Sequence, residues 1–210
     1  MTSEYIAQIV NKCDHYLRPE EARILYQTAT DIGAKRLLEI GGGAACSSAI
    51  LATVAMENNG LLLTVEISPR SDWKANLADL GLAEYAKLVE AESPWVNIDA
   101  RMVSLDYLFV DGNGRMRWVL ADYHFFSKFV RVGGRIAFHD WCGGRHSPDG
   151  VKRAVGAILE TDDLKEVAIS EAEKQGLIVF EKMSDRLDLP DENGVYAARP
   201  VRAVGSWLGN

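Results

Sequence analysis

The residues whose types and spacing suggest chemistry begin with Leu37-Leu38-Glu39-Ile40-Gly41-Gly42-Gly43-Ala44-Ala45-Cys46-Ser47-Ser48, an apolar run entering a turn of small residues and then a helix-forming stretch. Such a turn lets a ligand lie against backbone N–H groups at a helix start. Glu66 then ends the run Leu62-Leu63-Thr64-Val65, at about the separation where α/β nucleoside binders place a carboxylate on ribose hydroxyls. Turn and carboxylate together point to a nucleoside-containing ligand. The dinucleotide spacing G-x-G-x-x-G is not met: counted from Gly41 the third glycine position holds Cys46, and counted from Gly42 the second holds Ala44. A nicotinamide-dependent oxidoreductase is therefore the poorer reading. The three cysteines, Cys13, Cys46 and Cys142, form no C-x-x-C pair, so neither a disulfide framework nor a structural zinc site is indicated.

These residues need elements to hold them, and the pattern supplies an alternation of short apolar runs with segments of helical period, as in βα units around a mainly parallel sheet. A first helix is expected from Pro19 to about Thr30, with Glu20 and Glu21 at its positive end. Strands are expected at 36–40, 61–67, 87–91, 105–111 and 135–139. Helices fit between them at 45–56, 72–80 and 116–130, with a short one near 96–103. Beyond the fifth strand come a loop at 141–150, a helix at 151–160 and two runs, 165–170 and 177–181, that read as an antiparallel hairpin closing at Gly176. The division is one domain at 1–183 and a C-terminal arm at 184–210.

The chain has 210 residues, 48% hydrophobic and 25% charged, enough for one buried core. Its net charge of -7 lacks the broad positive face that phosphate backbones require, so nucleic acid is not expected as a partner. No basic-then-apolar leader opens the sequence and no apolar run reaches bilayer length, so no membrane partner and a cytoplasmic location are expected.

From about Leu17 to Glu181 the sequence resembles the class I S-adenosylmethionine-dependent methyltransferases, specifically small bacterial O-methyltransferases of the caffeoyl-CoA/catechol and macrocin types. The stretches carrying the resemblance are Leu37-Leu38-Glu39-Ile40-Gly41-Gly42-Gly43, Thr64-Val65-Glu66, Asp106-Tyr107-Leu108-Phe109-Val110-Asp111-Gly112 and Val132-Gly133-Gly134-Arg135-Ile136-Ala137-Phe138-His139-Asp140. The resemblance implies an α/β, Rossmann-like, seven-stranded and mainly parallel sheet in the order 3-2-1-4-5-7-6. Carried over by position, Glu39, Gly41 and Gly43 would face the methionine part of S-adenosyl-L-methionine and Ser47 its carboxylate. Glu66 would meet the ribose, Glu92 and Ser93 the adenine edge, and Asp111 the amino group or a metal.

In the metal-dependent branch of that family a divalent ion is held at positions that here are Asp111, His139 and Asp140. Two carboxylates suit Mg²⁺, and an imidazole shifts preference toward Mn²⁺ and other transition ions. Relatives commonly carry a histidine as base in D-G-x-H after the fourth strand, where this chain has Gly114. Asp111, His139 and His146 are then the catalytic candidates. The implied activity is methylation of a small-molecule hydroxyl, with a noncatalytic S-adenosylmethionine-binding protein as the alternative. Tyr5, Tyr16, Trp141, Tyr196 and Trp207 would line an acceptor pocket or pack in the core or a homodimer contact.

Overall fold

The computed structural model describes residues 3–13, 17–93, 96–97, 104–144, 148–160, 162–170, 175–185 and 202–203. Its centre is a seven-stranded sheet of β1 (Arg36–Ile40), β2 (Leu61–Glu66), β3 (Ala86–Glu90), β4 (Leu105–Val110), β5 (Val130–His139), β6 (Leu164–Ser170) and β7 (Leu177–Lys182). The spatial order is β3-β2-β1-β4-β5-β7-β6. Pairs from β3 through β5 are parallel, and β7 runs antiparallel to both β5 and β6. The order reverses between β1 and β4, which opens a crevice beyond the carboxyl ends of the strands.

Period-two alternation decides which side chains reach which face. Leu37, Tyr107, Phe109, Ala137, Leu177 and Val179 pack on one side against α1 (Ser3–Lys12), α2 (Pro19–Thr30) and α3 (Cys46–Glu57). Leu38, Ile40, Leu108, Val110, Ile136 and Phe138 pack on the other against α5 (Met116–Phe126) and α6 (Gly150–Leu159). Helix α3 is apolar and small on every side, and residues 46–55 are all buried, as a helix without a polar face must be. The short α4 (Trp73–Asp79) follows β2.

Three expectations change. An N-terminal helix, α1, precedes the one expected first; its Ile6, Ile9, Val10 and Cys13 form the apolar stripe that docks it on the core. Val96–Asn97, expected to begin a short helix, are extended and pair in parallel with Arg202–Ala203, while 98–103 lie outside the described residues. Strand β5 begins five residues earlier than expected, because a 3₁₀ turn at Ser127–Phe129 delivers the chain straight from α5 into the sheet. No helix among the described residues is long and apolar enough to cross a membrane.

Candidate active site

The glycine turn sits at the order reversal. The Gly41 N–H donates to the Val65 carbonyl and the Asp111 N–H to the Ile40 carbonyl, which joins the ends of β1, β2 and β4. Gly41 has φ 93, and a side chain there would run into the Asp111 carbonyl oxygen, so this close backbone approach requires glycine. Helix α4 braces the loop from outside: the Asn76 amide donates to the Ala44 carbonyl at 2.9 Å and the Trp73 indole to Ser48 at 3.0 Å.

Glu66 reaches across from β2 into this turn. Its Oε2 accepts from the Gly42 and Gly43 N–H groups at 3.0 and 3.3 Å, and its Oε1 from the Ser68 N–H at 3.0 Å. Two cavities meet at Glu66 and Asp111. The larger, about 820 Å³, is lined by Gly41, Gly43, Ser47, His139 and Asp140 among others. The smaller, about 360 Å³, runs along the ends of β2 and β3 to Glu92, Ser93 and α5. Gly41, Gly43, Ser47, Glu66, Glu92, Ser93 and Asp111 therefore all border this crevice.

Glu39 does not, and here the structure corrects the expectation. By alternation it shares a face with Leu37, so it points down onto α3 and is 0% exposed. The hydroxyls of Ser47, Ser48 and Thr64 donate to it at 2.6, 2.5 and 2.7 Å. Burial pushes its carboxyl up to about 7, against the pull of those hydrogen bonds. Glu39 is thus a buried anchor for the start of α3, and the Ser47 hydroxyl, which lines the cavity, is already committed to it.

At the far end of the larger cavity, one ligand atom from each of Asp111, His139 and Asp140 lies within 4.8 Å of the others. His139 ends β5 on the face of Ala137, whereas Asp140 adopts a left-handed conformation, φ 58, which lets adjacent residues aim at one point. That face turns His139, 5% exposed, toward α2, where sequence reasoning had missed Glu21. His139 Nδ1 lies 3.0 Å from Asp111 Oδ1 and Nε2 lies 3.4 Å from Glu21 Oε2. Burial alone would lower the imidazole, but the charge and hydrogen bond of Asp111, with those of Glu21, hold it well above its usual value. Glu21 also accepts from the Arg18 N–H and the Gly176 N–H, both at 2.8 Å. The pattern of a charged residue in a helix's first turn could have flagged Glu21 as a cap, though not as the partner of His139.

The donor set suits a divalent ion: His139 Nδ1 lies 3.0 Å from Asp111 Oδ1 and 3.8 Å from Asp140 Oδ1, within the roughly 4.4 Å that oxygen and nitrogen ligands about 2.0–2.2 Å from a common centre can span. The Nδ1 of His139 would give up its proton on binding, with Glu21 orienting the ring through Nε2. His146 lies outside the described residues, as do Tyr16, Tyr196 and Trp207. Tyr5 packs against the core, and Trp141 packs beside α6 with the Lys152 ammonium 5.4 Å from its ring centre.

A family model described as a methyltransferase domain matches residues 38–141, from β1 through the end of β5. Residues 38–141 are a methyltransferase domain. Solved structures share the fold of this methyltransferase at low identity. TomG from Streptomyces achromogenes, an O-methyltransferase of tomaymycin synthesis in complex with S-adenosylmethionine, is 18% identical over 86% of this chain and 89% of its own, with a TM-score of 0.66. An O-methyltransferase from Bacillus cereus in complex with S-adenosylhomocysteine is 17% identical over 86% and 90%, with a TM-score of 0.66. The methyltransferase PaMTH1 from Podospora anserina, bound to S-adenosylhomocysteine, is 17% identical over 87% and 86%, with a TM-score of 0.63. No curated protein matches the sequence.

Proposed function

We propose that this methyltransferase moves the methyl group of S-adenosylmethionine to a hydroxyl of a small molecule, assisted by a divalent ion. The observation that carries the reading is the crevice itself, which has a carboxylate laid on a glycine turn at its middle and the Asp111, His139, Asp140 cluster at one end. Glu66, by exchanging a glycine N–H for a ribose hydroxyl, would fix the nucleoside. The sulfonium then falls near Gly41 and Gly43, facing the acid and imidazole cluster across the larger cavity. O-methyltransferases solved with S-adenosylmethionine or its product on this fold support the choice of cofactor.

Methyl transfer from a sulfonium is an in-line displacement, so the protein's task is alignment and removal of the acceptor proton. Asp111, His139 and Asp140 would hold the ion, whose Lewis acidity would lower the acceptor's pKa. His139, with Nδ1 given to the ion and Nε2 turned to Glu21, would not be a free base. The carboxylates of Asp111 and Asp140 border the cavity, and an oxygen of either left unbound by the ion would take the acceptor's proton.

The test is incubation with S-adenosylmethionine, Mg²⁺ or Mn²⁺, and a panel of phenolic, sugar and polyketide-like alcohols, read by mass spectrometry. Asp111→Asn should cut product by on the order of 100-fold or more. Absence of S-adenosylhomocysteine binding in calorimetry would overturn the reading. Cofactor binding with no methylated product across the panel would favour the noncatalytic alternative.

A further inference from the structure

Arg18, just before α2, is the one arginine or lysine among the described residues that line the larger cavity, and neither the glycine turn nor the acid and imidazole cluster uses it. The three carboxylates on the same walls are engaged. Glu66 accepts from the Gly42 and Gly43 N–H groups, Asp111 lies 3.0 Å from His139 Nδ1, and Asp140 lies 3.8 Å from that same nitrogen. The Arg18 side chain is exposed and its guanidinium forms no ion pair with these or with any other described residue. Its charge persists at every working pH.

The backbone fixes where this cation is rooted. The Arg18 N–H donates to Glu21 Oε2 at 2.8 Å, and the same oxygen lies 3.4 Å from His139 Nε2, so Arg18 starts beside the cluster end of the cavity. The other oxygen of Glu21 accepts from the Gly176 N–H at 2.8 Å, which brings the preceding Gln175 to that end as well. Gln175 lines the cavity, its carbonyl accepts from the Cys142 N–H, and its side-chain amide bonds to no described residue. A guanidinium fork and an amide donor, both uncommitted, suit a carboxylate: the fork matches its two oxygens and the amide can add a third hydrogen bond. We propose that Arg18, with Gln175 beside it, binds a carboxylate of the acceptor, so that the hydroxyl methylated belongs to a hydroxy acid. The inference rests on the methyl-transfer reading of this cavity and names the substrate class within it. The acid group anchors the molecule at Arg18 while its hydroxyl turns to Asp111 and Asp140. Such remote anchoring acts on ground and transition states alike, so it lowers KM more than it raises kcat.

The experiment is steady-state methylation by the full chain with S-adenosylmethionine and Mg²⁺ or Mn²⁺, using acceptors paired as acid and amide: 3,4-dihydroxybenzoate against 3,4-dihydroxybenzamide, and glucuronate against glucuronamide. In each pair that turns over, wild type should prefer the acid by about ten-fold in kcat/KM. Arg18→Gln should remove that preference through KM, and Arg18→Lys, which keeps the charge without the fork, should retain part of it. Equal or better use of the amide by wild type, which needs no variant to fold, overturns the proposal while leaving the methyl-transfer reading intact. So does an unchanged preference in Arg18→Gln. A calorimetric loss of S-adenosylhomocysteine affinity in Arg18→Gln also overturns it, by assigning the guanidinium to the cofactor's own carboxylate. Methylation of none of the four compounds overturns the hydroxy-acid class, and S-adenosylhomocysteine binding to wild type then tells whether the cofactor reading falls with it.

Discussion

Glu39 shows how alternation along a strand can reassign a residue that motif resemblance places at a ligand. The carboxyl faces α3, accepts three hydroxyl donors and has its pKa raised to about 7 from the ordinary 4.5. The sign follows from linkage. A group whose folded value lies above its unfolded one contributes stability in full below the unfolded value, and that contribution is lost as pH rises through the folded one. Stability from Glu39 therefore declines as pH rises from about 4.5 through 7 and stays lost above it. Glu39→Gln removes this dependence, so thermal unfolding of the variant should fall less between pH 5 and pH 8 than that of wild type. The difference should be on the order of 2 kcal/mol, read as several degrees in Tm. Parallel profiles for the two proteins would show that Glu39 stays ionised across the range.

At the scale of elements, α2 does more than cover the sheet. Through Glu21 it holds the Gly176 N–H between β6 and β7 and the ring of His139 at the end of β5, so one carboxylate joins a helix, a hairpin and the acid cluster. Glu21→Ala leaves a buried N–H and a buried imidazole without that partner, and should cost about 3 kcal/mol in urea denaturation. Glu21→Gln keeps an acceptor for Gly176 and should cost about 1 kcal/mol. A variant pair with equal, small losses would mean that α2 is held by its apolar stripe alone. This junction was illegible in the sequence because it brings together residues 21, 139 and 176 through tertiary packing. What was legible depended on local period. The expected strands of the main sheet, the closing hairpin and the helix over Pro19–Thr30 reappear, since apolar alternation and Pro at a helix start are local signals. The stripe of α1 was also local and was overlooked, while the early start of β5 depended on a 3₁₀ turn whose residues have no distinctive period.

Across the whole molecule, the order reversal between β1 and β4 gathers chemistry from segments distant in sequence, and a ligand filling both cavities would touch them together. Its effect should then differ from that of a ligand seated on the glycine turn alone. A ligand that binds only the folded state stabilises it by about 2.7 kcal/mol at a hundred-fold excess over Kd, and for a chain of this size that raises Tm by roughly 5–10 °C. With S-adenosylhomocysteine as ligand, hydrogen exchange should slow at 41–47, at 111–118 and at 139–144. These are the segments that line the two cavities from the ends of β1, β4 and β5. The hairpin of β6 and β7, whose pairing lies away from the order reversal, should keep its free-state exchange apart from any global gain in stability. Slowing confined to 41–47 would place the ligand on the turn without reaching the acid cluster. The two-cavity span would then be wrong even though the fold, and the binding of the cofactor to its turn, were right.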